Sequence, residues 1–148
     1  MTATACVPTQ TKLDILAGGV HNIATDTFNV ALFTDATTIG PLTPSYSASL
    51  GGECPQIGGY QTGGKLLGTP TVTSSGNIAY MDFPDVTWTN VTFSGETAVS
   101  AAVVYNISPG KNNKILCICT FAATTVIGGS FILQWPVDAS STAILRLV

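Results

Sequence analysis

The sequence predicts an all-β protein: a jelly-roll-like β-sandwich of about eight strands with one short N-terminal helix. Three observations predict it. Past residue 26 the apolar residues recur with period two, the signature of strands with alternating faces. Gly, Pro, Asn and Asp cut the chain into short segments at close, even spacing. Charge is scarce: 9% of residues are charged and 45% hydrophobic, with a mean hydropathy of +0.40, whereas an average domain carries about 25% charged residues. Thr, Ser, Gly and Asn fill the gap. The chain's 148 residues make one domain, and a surface this poor in charge reads as one largely covered by other protein.

Residues 1–10 have neither periodicity nor a charged residue, and are expected to form an arm outside a domain spanning 11–148. Thr11 is placed as the N-cap of a short helix, with Asp14 three residues on as in a capping box. Leu13, Leu16, Ala17 and Val20 fall at helical spacing, and Gly18-Gly19 ends the helix. Residues 27–34 (TFNVALFT) form the first strand, with Phe28, Val30 and Leu32 on one face and Asn29, Ala31 and Phe33 on the other. Residues 35–59 hold Pro41, Pro44, Gly51, Gly52 and Pro55 and read as a long loop, of the kind that is functional or docked. Further strands are expected at 65–67, 69–73, 78–83, 86–93, 98–107, 114–121, 131–135 and 143–148. Turns at Ser75-Gly76-Asn77, Pro84-Asp85, Ser94-Gly95, Pro109-Gly110, Gly128-Gly129 and Pro136 separate them. Segments 98–107 and 114–121 are apolar on both faces. A sandwich strand usually keeps one face wet, so the helix or another subunit is expected to cover the second.

The chemistry expected is slight, and the sequence reads as that of a non-enzymatic protein without cofactor or metal. His21 is the one histidine, and no Gly-x-Ser-x-Gly elbow accompanies it; a cap or core role suits it better than catalysis. Asp82, Asp85 and Glu96 lack a cleft lined for sugar chemistry, and Asp85 reads as a turn residue. Gly58-Gly59 and Gly63-Gly64 fit a bend or bulge rather than a phosphate loop. Cys117 and Cys119 stand two apart on one strand, poorly placed for a disulfide, and with Cys6 and Cys54 are expected as free thiols. Five scattered cations, Lys12, Lys65, Lys111, Lys114 and Arg146, make no nucleic-acid footprint. No apolar run approaches the ~20 residues that span a membrane. Asn90-Val91-Thr92 and Asn106-Ile107-Ser108 are glycosylation sequons, relevant only to a secreted chain.

A series of segments carries a resemblance. It runs from a helix ending near Gly19-Val20-His21-Asn22, through TFNVALFT at 27–34, GYQTGGK at 59–65, DVTW at 85–88 and AVVYN at 102–106, to SFILQW at 130–135. In this order they resemble a family of small structural proteins of tailed bacteriophages. The resemblance implies a virion protein made in the host cytoplasm: a capsid cement or decoration protein on the outside of the shell. Its implied partners are the major capsid protein and further copies of itself, as dimer or trimer. Leu42, Tyr46 and Leu50, apolar residues in a patternless loop, are the expected interface, together with the arm. The alternatives are a tail or head-fibre component using Trp88 and Trp135 at a sugar site, or a secreted carbohydrate-binding module.

Overall fold

A computed structural model describes residues 4–34, 39–135 and 141–147; Pro136, expected as a turn, lies outside them. The protein is all-β, with ten strands and one short α-helix among the described residues. Strand β1 (Thr4–Cys6) pairs with β8 (Ile115–Thr124), Cys6 opposite Ile118. Part of the expected arm is thus an edge strand of the domain's own sheet. Three residues are too few to display a period, so nothing in the sequence marked it.

Helix α1 (Thr9–Leu16) begins three residues earlier than expected, with Pro8 at the N-cap position. Thr11 is not the cap. It is buried inside the helix, and its hydroxyl donates to the Ile115 carbonyl. The expected apolar face is also reversed, since Leu13 is 54% and Leu16 85% exposed. Polar contacts seat this helix instead: Thr11 on Ile115, and Asp14 paired with Lys114 at 2.9 Å. Gly18 and Gly19 take positive φ after it, as the stop signal requires.

Strands β2 (Phe28–Phe33), β3 (Lys65–Leu66) and β7 (Val99–Asn106) complete a five-stranded sheet in the order β1-β8-β7-β2-β3. Strands β4 (Thr71–Ser75), β5 (Ile78–Asp82) and β10 (Leu145–Leu147) form a second sheet, and β6 (Val86–Phe93) pairs with β9 (Val126–Leu133). All these pairings are antiparallel. The described strands divide five, three and two, where the expectation was a jelly-roll-like sandwich.

Three of the pairings are nested. One arm runs β5, β6, β7, turns at 107–114, and returns as β8, β9, β10 along its own track. Tyr105 faces Ile115, Trp88 faces Phe131, and Met81 faces Leu145. This folded ribbon needs corners. At one, Ser94 and Thr97 exchange hydrogen bonds of 3.0 and 2.8 Å around a 3-10 turn, Gly95–Thr97. Opposite it, Thr125 alone separates β8 from β9. At the next, the Asp85 carboxylate accepts from the Trp135 amide at 3.1 Å, and the Trp135 indole donates to the Pro84 carbonyl at 3.0 Å. Gly128-Gly129 does not end a strand. It lies within β9, where the β6–β9 register shifts around Val91 and Asn90 adopts φ 55°; glycine here serves a bulge.

The main core lies between the five-stranded sheet and the β6–β9 pair, and includes Phe28, Val30, Tyr60, Trp88, Phe93 and Leu116. A second core covers the other face of the same sheet: Phe33, Val103, Tyr105, Ile115 and Ile118 lie under Ile39 and Tyr46. The cover for the doubly apolar strands, expected from the helix or another subunit, comes instead from the 39–54 loop of the same chain.

Candidate functional site

Backbone hydrogen bonds tie that loop to the sheet, among them Tyr46 to Asn113 and Cys54 to Leu32, and one carboxylate gathers its side chains. Glu53 bridges to Phe33 at the end of β2 and accepts three hydrogen bonds: from the Tyr46 hydroxyl at 2.7 Å, the Tyr60 hydroxyl at 2.8 Å and the Gly63 amide at 2.7 Å. The Tyr105 hydroxyl donates to the Gly63 carbonyl at 2.6 Å, and the Tyr46 ring stacks on Tyr105 with centroids 4.1 Å apart. Burial, reinforced by Glu53, pushes the Tyr46 phenol above its ordinary range; burial does the same to Tyr60 and Tyr105. All three therefore stay protonated and donate. A half-buried carboxylate costs little when its lone pairs are filled in this way.

The structure separates the three expected interface residues. Tyr46 is buried in the second core and Leu50 packs against it half-covered, so both have a home inside the domain. Leu42 is 86% exposed. The Thr9 amide donates to the Pro41 carbonyl at 2.8 Å, which sets Leu42 beside the start of α1. Thr9, Leu13 and Leu16 follow one another at i, i+4 and i+7, along one stripe of the helix. Leu13 and Leu16 thus stand exposed on a helix fixed from below, with Leu42 exposed in the loop that meets its first residue. The Lys114 ammonium beside Asp14, with help from Gln10, holds that carboxyl below its usual range. Leu13 and Leu16 escaped sequence reasoning because their spacing is equally that of a buried helix face; no signal in the sequence says which way an eight-residue helix is turned.

His21 closes the polar side of the helix. The Asn106 side-chain carbonyl accepts from the Ser108 amide at 3.0 Å, so its amide nitrogen faces Asp26 (2.6 Å) and His21 Nδ1 (3.1 Å). His21 Nδ1 must then accept, which leaves the proton on Nε2, a buried atom with no partner among the described residues. Burial first, and then the Lys111 and Lys114 charges, lower the His21 pKa against the opposing pull of Asp14 and Asp26. Asp26 is held low although burial pushes it up, because the Asn22 amide, Asn106 and Lys111 outweigh burial. Lys111 reaches both Asp26 and the Val20 carbonyl. This is a structural clamp between the 18–27 segment and the hairpin tip, with no nucleophile beside the imidazole.

The cysteines and the two tryptophans sit in the packing of the domain. Cys54, Cys117 and Cys119 are buried and Cys6 half-buried, all four unbridged. Burial pushes the Cys54 thiol up to about 12, and the Cys119 hydrogen bond followed by burial raises Cys117. Thiols held this way are poor nucleophiles. Trp88 and Trp135 are buried against Tyr60, Phe131 and Phe83, so neither offers a ring face to a sugar. Asn106 is fully buried with its amide engaged, which removes it as a glycan acceptor in the folded chain; Asn90 is exposed. Gly58, Gly59 and Gly64 lie so close to the Asn90, Thr89 and Val30 carbonyls that a Cβ would come within 2 Å of each. They seat the 58–64 segment on the sheet and form no cradle. Among the described residues no three His, Cys, Asp or Glu side chains gather as a metal site, and no helix is long and apolar enough to cross a membrane. No known protein family, curated protein or solved structure matches the chain.

Proposed function

We propose that this chain is a non-enzymatic structural protein of a phage particle: a cement or decoration protein that binds the outside of the shell and bridges neighbouring major capsid subunits. The observation that carries an adhesive role is the leucine row: Leu13 and Leu16, 54% and 85% exposed on a helix pinned by Thr11 and Asp14, and Leu42, 86% exposed in the loop bonded to that helix's first residue. Covering each leucine fully is worth about 1.5–3 kcal/mol. Because the helix is already ordered, little of that gain is lost to immobilising the contact. Many copies in symmetric positions would multiply a modest contact by avidity. The resemblance in segment order supplies the particle, and the partners are the major capsid protein and further copies of this chain.

The test is made on particles. Shells with the protein should hold their DNA to a higher temperature than shells without it. Leu13→Ser, Leu16→Ser and Leu42→Ser together should abolish attachment while leaving the far-ultraviolet circular dichroism of the free protein unchanged. Equal stability of shells with and without the protein would overturn the cement role. Undiminished attachment of the triple variant would move the contact off the helix.

A further inference from the structure

The β4-β5-β10 sheet extends beyond the core it grows from. At its root Met81 is 3% exposed; Val72 and Leu147, on the same face, are each 58% exposed. All five residues of β4 are exposed. The strand pairs with β5 on one side, and no described strand pairs with the other. β4 therefore gives its own fold a backbone ladder and almost no burial. Proteins normally blunt such an edge with Lys, an internal Pro, a bulge or a covering segment. Thr71-Val72-Thr73-Ser74-Ser75 has no charge and no proline, and its register with β5 runs unbroken from Thr71–Asp82 to Ser75–Ile78.

We propose that β4 pairs antiparallel with β4 of a second copy, about a two-fold axis through Thr73. The self-association within the proposed function thereby gains a place on the molecule, but the pairing needs no shell and stands or falls in free solution. A second copy fits because the strand is self-complementary in this register. Centred on Thr73, the new cross-strand pairs are Thr71 with Ser75, Val72 with Ser74 and Thr73 with itself. These are small residues without charge, and hydroxyl pairs are favourable partners. The nearest carboxylate also fits. Asp82 lies beside Thr71 on β5, so the two-fold puts it in the row of the partner's Ile78 rather than of the partner's Asp82. The two carboxylates end up four residues apart along the seam, about 13 Å. An axis perpendicular to the sheet also keeps like faces together. The apolar groove of about 120 Å³ lined by Ile23, Val72, Ala79, Met81, Leu145 and Leu147 would continue from one copy into the next, with Val72 diagonal to its mate across the seam.

Sedimentation equilibrium of the purified full chain, followed by register-specific cross-linking, tests the pairing. The wild type should self-associate to a dimer. Thr73→Lys sets like charges directly opposite each other and should raise the dissociation constant about fivefold or more; the exposed position lets the fold survive, which circular dichroism checks. Thr73→Cys should form a covalent dimer on mild oxidation that the wild type does not form. Ser75→Cys alone should not cross-link, but mixed with Thr71→Cys it should. A wild-type monomer at all concentrations, a Thr73→Lys dimer as tight as wild type, or cross-linking that ignores this register would each overturn the proposal. None of these results bears on shell attachment through the leucine row, which is read on particles.

Discussion

Glu53 and His21 hold their neighbours by opposite means. Glu53, a carboxylate, accepts three hydrogen bonds, so Glu53→Leu leaves the Gly63 amide without that acceptor and strips the Tyr46 and Tyr60 hydroxyls of their shared partner. That exchange should cost about 1.5–3 kcal/mol, read as a lower denaturant midpoint with an unchanged slope. His21 needs to be neutral, because Asn106 already fills the space before Nδ1 with a donor. Its pKa in the folded protein lies below the ordinary 6.5, so the unfolded chain takes up the proton first. The His21 contribution to stability is complete above about pH 6.5 and is lost as pH falls through the lowered folded value. Asp14 and Asp26, held below 3.8, lose theirs at more acid pH. Thermal midpoints should fall with acid in two stages, and His21→Gln should remove the first. The sequence assigned His21 a structural role but not its partners, and it gave no sign of the role of Glu53. A lone Glu between Gly52 and Cys54 carries no pattern, and its partners lie up to ten residues away in a segment without period.

Elements with a pattern were readable, and those without one were not. Strands β2, β5, β6, β7 and β8 are continuous runs of strand-forming residues between turn signals, and their expected bounds differ from the observed ones by at most three residues. The 39–54 loop has no such run. Tyr46 and Leu50 read as homeless apolar residues because only tertiary contact with Tyr105 and Ile118 gives them a place. Helix α1 differs in another way: it forms where expected but is turned over, with Thr11 inside and Leu13 and Leu16 outside. Thr11→Val keeps the shape and deletes the bond to Ile115. It should cost about 1 kcal/mol and speed amide exchange in residues 9–16 more than in the strands. Disruption of β8 as well would show the helix to be integral to the sheet edge.

At the scale of the whole molecule, one sheet is buried on both faces by a single chain of modest length. Two cores consume the apolar residues of the central strands, and Thr, Ser, Gly and Asn fill much of the remaining surface, beside exposed aliphatics such as Leu13, Leu16, Leu42 and Ile127. Three of the four thiols sit inside those cores. In native protein Cys6 should alkylate first, and Cys54, Cys117 and Cys119 only at the rate of global opening. Mass spectrometry of partially labelled protein would count them, and rapid labelling of Cys117 would mean that β8 opens locally.

The folded ribbon also fixes an order of events in time. Its tip, 107–114, closes the shortest loop, so β7 and β8 meet at the least entropic cost. Once they are joined, β6 and β9 start from neighbouring ends, and β5 and β10 follow in turn, each step shortening the search for the next. The pairs farthest from the tip are separated by more than sixty residues, and they would be slow to find each other unaided. Pulse-labelled hydrogen exchange during refolding should therefore protect Val103 and Ile118 before Trp88 and Phe131, and leave Ala79 and Leu147 until last. A ribbon that closes from the tip also opens from its free ends.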